Sequence, residues 1–92
     1  MKNQPHWHQE EKAKCQVNQA FYNPRNKFVR DLGVLAAAVY KQDHGSLKVL
    51  DTLAGCGVRS LRYYLESNAE YLWVNDGNYQ LNSTIQQNLS LA

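Results

Sequence analysis

An α/β fold with parallel strands is what this sequence predicts, and three observations predict it. Two short runs rich in apolar residues, SLKVLDTLAG and EYLWVND, are each followed by a segment whose apolar residues recur at helical spacing. A further helical segment, AFYNPRNKFVRDLGVLAAAVYKQDHG, precedes the first run. The link between the first run and its helix carries Gly55 and Gly57, as a tight strand-to-helix turn requires. The order helix, strand, helix, strand, helix implies a right-handed βαβ unit.

In chain order, residues 1–19 are polar without sustained periodicity, so a mobile or loosely docked lead-in is expected there. His6 and His8, with Glu10 nearby, could chelate from an extended segment. No further ligand cluster follows, so solvated histidines and no metal are expected. The first helix enters at Asn23-Pro24, with Asn as cap and Pro in the first turn, and stops at Asp43-His44-Gly45. Phe28, Leu32, Leu35, Ala36 and Val39 share one stripe, the expected core face, and Arg30 points away from it. The first strand centres on 48–51, and the helix VRSLRYYLES follows with Val58, Leu61 and Leu65 on one side. The second strand closes on Asp76, and the last helix, NYQLNSTIQQNLSLA, spaces Leu81, Ile85 and Leu89 by one turn.

Ninety-two residues leave room for one small domain, and 43% hydrophobic with 20% charged residues is ordinary for a globular chain. No run approaches the roughly 18 apolar residues of a membrane span, and MKNQPHWHQEEK lacks a signal-peptide apolar core, so cytoplasmic residence is expected. Cys15 and Cys56 form no CxxC pair, and reduced thiols follow. The net charge of +2 is uneven: residues 1–41 hold seven Lys/Arg against three Asp/Glu, and residues 42–92 hold three against five. A basic front half is compatible with a polyanionic partner.

The glycine turn carries the chemistry. Asp51, Gly55 and Gly57 read D-x-x-x-G-x-G between strand and helix, and Asp76 stands nineteen residues after Gly57 at the end of the next strand. Glycines let a ligand approach the backbone closely, and the following helix start offers free N–H groups. An acid at the neighbouring strand end can accept hydrogen bonds from both hydroxyls of a ribose. A phosphate-binding P-loop is excluded, because GxxxxGK[ST] is absent. A nicotinamide or flavin site wants a third glycine where Ser60 stands. S-adenosylmethionine suits the pattern better, having an amino-acid portion and an adenosine but no pyrophosphate. Asp51 would hold that ligand's ammonium or order the turn.

FYNPRNKFVRDLGVL, VLDTLAGCGVRSLRYYLE and EYLWVNDGN together resemble the tRNA guanine-N2 dimethyltransferase family, which modifies guanine 26 of tRNA, over residues 20–92. The resemblance implies a partial, Rossmann-like class I methyltransferase fold, with 20–92 as the first part of the S-adenosylmethionine-binding domain. It implies methyl transfer from S-adenosylmethionine to the exocyclic amine of guanine, with tRNA as partner. Carried over position by position, Arg30 and Arg59 look like cofactor contacts and Asp76 like the ribose-binding acid. Phe21, Tyr22 and Asn23 look like neighbours of the target nucleotide, where an aromatic could stack on an everted base; packing of Phe21 is the competing account. The alternatives are another class I methyltransferase, a nicotinamide-dependent oxidoreductase, or a non-catalytic RNA-binding module.

The family looks to use an Asp-Pro-Phe loop to hold the target amine, and no such loop occurs here. The nearest sequence, Tyr22-Asn23-Pro24-Arg25, lacks the aromatic after its proline, so no catalytic residue is assigned. Two parallel strands leave open edges, and the chain is expected to be a piece of a longer protein that cannot use its methyl donor alone.

Overall fold

The computed structural model describes residues 7–18, 20 and 22–90. The elements are β1 (Trp7–Glu10), β2 (Ala13–Gln16), a 3-10 turn (Pro24–Asn26) leading into α1 (Lys27–His44), β3 (Lys48–Asp51), α2 (Val58–Glu66), β4 (Tyr71–Val74), a second 3-10 turn (Tyr79–Leu81) and α3 (Asn82–Ser90). From α1 onward this is the expected succession, and β3 and β4 pair parallel from Lys48 opposite Tyr71 to Asp51 opposite Val74.

The α1 ends follow from local chemistry. The Asn23 side chain accepts a hydrogen bond from the Arg25 N–H at 2.9 Å, with Pro24 next in the turn. At the other end Gly45 adopts φ +83° and donates its N–H to the Lys41 carbonyl at 2.7 Å. Its buried side is not the expected one. Phe28, Leu32, Leu35 and Val39 are exposed, Phe28 by 68%, whereas Arg30 and Val34 are buried. The inversion has an electrostatic cause: Arg30 turns inward because a buried carboxylate waits for it.

That carboxylate is Glu10, in the segment expected to be a loose lead-in. Residues 7–16 instead form an antiparallel hairpin, with Trp7 opposite Gln16 and Glu10 opposite Ala13. Ala13 and Cys15 pack with Cys56, Val58 and Leu61 in the main core cluster. A second cluster of Ala54, Leu81 and Ile85 lies under α3. The hairpin eluded sequence reading because its turn, Glu11-Lys12, has no Asn-Gly or Asp-Gly signature. Glu11 takes φ +51°, a conformation glycine or asparagine usually supplies.

One face of the small sheet is open among the described residues, with Leu50, Tyr71 and Trp73 all exposed. The other face and the strand ends carry the core and the glycine bend. Gly57 sits at φ +90° as the residue capping α2, and a Cβ there would meet Ile85 at an ordinary 3.8 Å. Space is therefore available, and only backbone strain opposes a side chain. Gly57→Ala should cost about 1–2 kcal/mol in urea unfolding of the full-length protein; an unchanged midpoint would show that α2 starts without this conformation.

Candidate functional site

The site lies where β3 and β4 end. Beyond the strands, the Asn75 N–H donates to the Asp51 carbonyl at 2.8 Å and the Ala54 N–H to the Asn75 carbonyl at 3.0 Å. These bonds carry the ladder past the last paired residues and hold the two tips together. The Gly55 N–H then donates to Asp76 Oδ2 at 2.8 Å, and the Asn78 N–H to Asp76 Oδ1 at 2.9 Å. Those two backbone donors, Asn78 first, hold the Asp76 carboxyl below its usual range, so it stays anionic at neutral pH. Each carboxylate oxygen keeps a lone pair for a further donor.

Beside the bend is a cavity of about 170 Å³, walled by Tyr22, Asn23, Asn26 and Arg30 on one side and by Leu53 to Cys56, Val58 and Arg59 on the other. Pockets for drug-sized ligands run roughly 300–1,000 Å³, so this cavity fits one end of such a ligand. Arg59 is exposed on the first turn of α2 and donates no hydrogen bond among the described residues. Arg30 reaches the cavity from α1.

A buried ion network lies behind Arg30. Glu10, 3% exposed, accepts from Arg30 Nε at 2.7 Å and Nη2 at 2.6 Å, from Arg62 Nη1 at 3.0 Å and from the Tyr22 hydroxyl at 2.9 Å. Burial pushes the Glu10 carboxyl up, but these donors, Arg30 foremost, outweigh it and bring it below the ordinary value. Tyr22 moves the other way, raised by burial and by its bond to Glu10. Its ring also lies 4.9 Å from the Arg30 guanidinium carbon. Arg62 continues outward to Asp31 at 2.7 Å and to Glu66 at 2.9 Å.

The residues singled out from sequence divide as follows. Arg30, Gly55, Arg59, Tyr22 and Asn23 border one cavity, and Asp76 is bonded to its glycine rim. Asp51 accepts from the Ser60 hydroxyl at 2.7 Å through Oδ2, a bond that ties β3 to α2 and fits its expected part in ordering the turn. Gly57 is buried as the cap of α2 and is not among the residues that wall the cavity, and Phe21 falls outside the described residues. Sequence reading missed Arg62 and Asn88, and took Glu10 only as a neighbour of His6 and His8, of which His6 lies outside the described residues. Arg62 had a signal: one turn past Val58, it falls on the buried side of α2 and demands an acid.

Cys15 and Cys56 are free thiols, buried, with sulfurs 4.0 Å apart. Cys56 is the more acidic, because the Cys15 thiol and the Val58 N–H at the start of α2 stabilise its thiolate; Cys15 is raised by the same contact and by burial.

The N2,N2-dimethylguanosine tRNA methyltransferase family model matches residues 3–92. The chain belongs to this family. Among relatives of this dimethyltransferase family, the tRNA (guanine(26)-N(2))-dimethyltransferase of Thermococcus kodakarensis is 41% identical over 71 residues, covering 77% of this chain and 18% of the relative. The enzyme of the same name from Saccharolobus islandicus is 41% identical over 70 residues, covering 75% of this chain and 18% of its own length. This family member thus spans less than a fifth of the curated relatives it matches. In structure it is similar to Trm1 from Pyrococcus horikoshii in complex with S-adenosyl-L-methionine, with a TM-score of 0.82 and 32% identity over 94% of this chain and 23% of that one. No helix among the described residues is long and apolar enough to cross a membrane.

Proposed function

We propose that these residues form the first part of the S-adenosylmethionine-binding domain of a tRNA guanine-N2 methyltransferase, acting on the exocyclic amine of guanine 26. The observation that carries this reading is the joining of two arginines and one acid around a single glycine bend. Arg30 and Arg59 border the same cavity as Gly55, whose N–H holds Asp76 at 2.8 Å. This donor set fits the ligand. A guanidinium pairs well with an amino-acid carboxylate, and a fixed carboxylate with ribose hydroxyls. Bound there, S-adenosylmethionine supplies an electrophilic methyl group. The chain's own residues would bind and orient it: the arginines would hold the amino-acid end, and Asp76 would accept from the ribose hydroxyls.

The fold supports the same reading, with a parallel strand pair continuing into a Rossmann-like class I sheet in the complete domain. Because the hairpin shares the core with α2, we count residues 7–16 within that domain rather than as a separate lead-in. Tyr22 and Asn23, at the cavity edge, belong on the side from which tRNA would present its base, and cytoplasmic residence belongs to the same reading.

Calorimetry on the full-length protein tests the site. Asp76→Ala and Arg59→Ala should each raise the Kd for S-adenosylmethionine about tenfold or more, the loss of a charge-assisted hydrogen bond. Undiminished binding in both variants would remove the site assignment, and competition by NAD rather than S-adenosylhomocysteine would replace the ligand class.

A further inference from the structure

We propose that Glu10 is a positioning residue of the cofactor site: from the hairpin it fixes the Arg30 guanidinium so that one nitrogen is left for ligand. The proposal rests on the reading of Arg30 as a cofactor contact. Arg30 has five N–H donors on three nitrogens. Nε and Nη2 are taken by the two Glu10 oxygens at 2.7 and 2.6 Å, and Nη2 also donates to the Asn23 carbonyl at 3.1 Å. Nη1 has no hydrogen-bond partner among the described residues, and no buried polar side-chain atom among them lacks one. Among the described residues Nη1 is thus the nitrogen whose donors are uncommitted, on a residue that borders the cavity.

The constraint is stronger than one ion pair. Glu10 is itself held by Arg62 and by Tyr22, and the Tyr22 ring lies against the guanidinium face. An arginine pinned along one edge and one face has little rotamer freedom left to lose when a carboxylate arrives. Without Glu10, Arg30 would sample other rotamers and bind less tightly. Two cavity residues, Arg30 and Tyr22, would be released together.

The test measures S-adenosylmethionine binding by calorimetry on the full-length protein, well below the thermal midpoints of all variants. Glu10→Gln keeps the side-chain volume but can accept only one of the two parallel bonds; Glu10→Asp keeps the charge but withdraws it by one methylene. Each should raise Kd about tenfold. Glu10→Gln added to Arg30→Lys should cost little beyond Arg30→Lys alone, because both act through one guanidinium. A purely structural Glu10 would lower the midpoint and leave Kd unchanged, which would overturn the proposal, as would losses that multiply in the double variant. Loss of the folded state in both Glu10 variants would assign Glu10 to the fold and also overturn it. Normal binding by Arg30→Lys with weakened Asp76→Ala would remove Arg30 from the site, and this proposal with it, while leaving the rest of the site standing.

Discussion

Asn88→Ala is expected to destabilise the protein by about 3–5 kcal/mol, because one side chain satisfies three backbone groups. Asn88 is fully buried on α3. Its Oδ1 accepts from the Gln16 N–H at 2.8 Å, and its Nδ2 donates to the carbonyls of Gln16 and Cys56, both at 2.8 Å. It thereby joins the last helix to the hairpin and to the back of the glycine bend. Alanine would leave two acceptors and a donor without partners, each costing roughly 1–3 kcal/mol if dry; a water entering the vacated space would recover part of that. Asn88→Leu, similar in volume, separates packing from hydrogen bonding and should be at least as damaging. Equilibrium urea unfolding of the full-length protein checks both. A loss below about 1 kcal/mol for Asn88→Ala would mean that the three groups find other partners.

Asn88 also illustrates what the sequence could not disclose. Helical spacing puts position 88 beside Leu81 and Ile85 on the buried side of α3, but nothing local says that hairpin and bend carbonyls lie opposite to receive an amide there. The legible parts were those governed by local rules. Gly45 ends α1, Asn23-Pro24 starts it, and Gly55 with Gly57 turns the chain after β3, each because backbone conformation restricts the residue type. The meeting of Asp76 with that turn was also legible, since parallel neighbours bring their ends together.

What failed was the orientation of α1, and the reason is physical. Apolar periodicity nominated Phe28, Leu32, Leu35 and Val39 as the core face, yet the described residues bury the opposite side. The competing term was charge pairing at long range in sequence: Glu10 to Arg30 and Arg62. A lone buried arginine is costly, whereas an arginine forked onto a buried acid is tolerated, so the helix side that carries Arg30 turns inward. Pattern rules weigh hydrophobicity and cannot see a partner twenty residues away. The cavity shares these residues, since the Arg30 that borders it is the one forked onto Glu10.

The same network sets the second large effect. Arg62→Ala should cost about 3–5 kcal/mol near neutral pH, the usual penalty for removing one partner of a buried ion cluster. Arg62 is 2% exposed and serves Glu10, Asp31 and Glu66 together. Its loss leaves Glu10 on Arg30 and Tyr22 alone, while Glu66 loses its fork. The pH dependence gives the prediction its sign. In the native protein Glu10 and Asp31 titrate below their ordinary values of 4.5 and 3.8, Glu10 because its donors outweigh burial and Asp31 chiefly through Lys27 and then Arg62. A depressed carboxyl adds stability above its unfolded pKa, and that stability is lost as pH falls through the folded value. Without Arg62 the folded value of Glu10 moves back up, so the variant has less of this stability to lose in acid. The gap in urea midpoint between native protein and Arg62→Ala should therefore be widest at about pH 7, begin to close below about pH 4.5 and go on closing as pH falls through the lower folded values. A gap that stays constant across that range would place the cost in lost packing of the Arg62 stem rather than in the charges it serves.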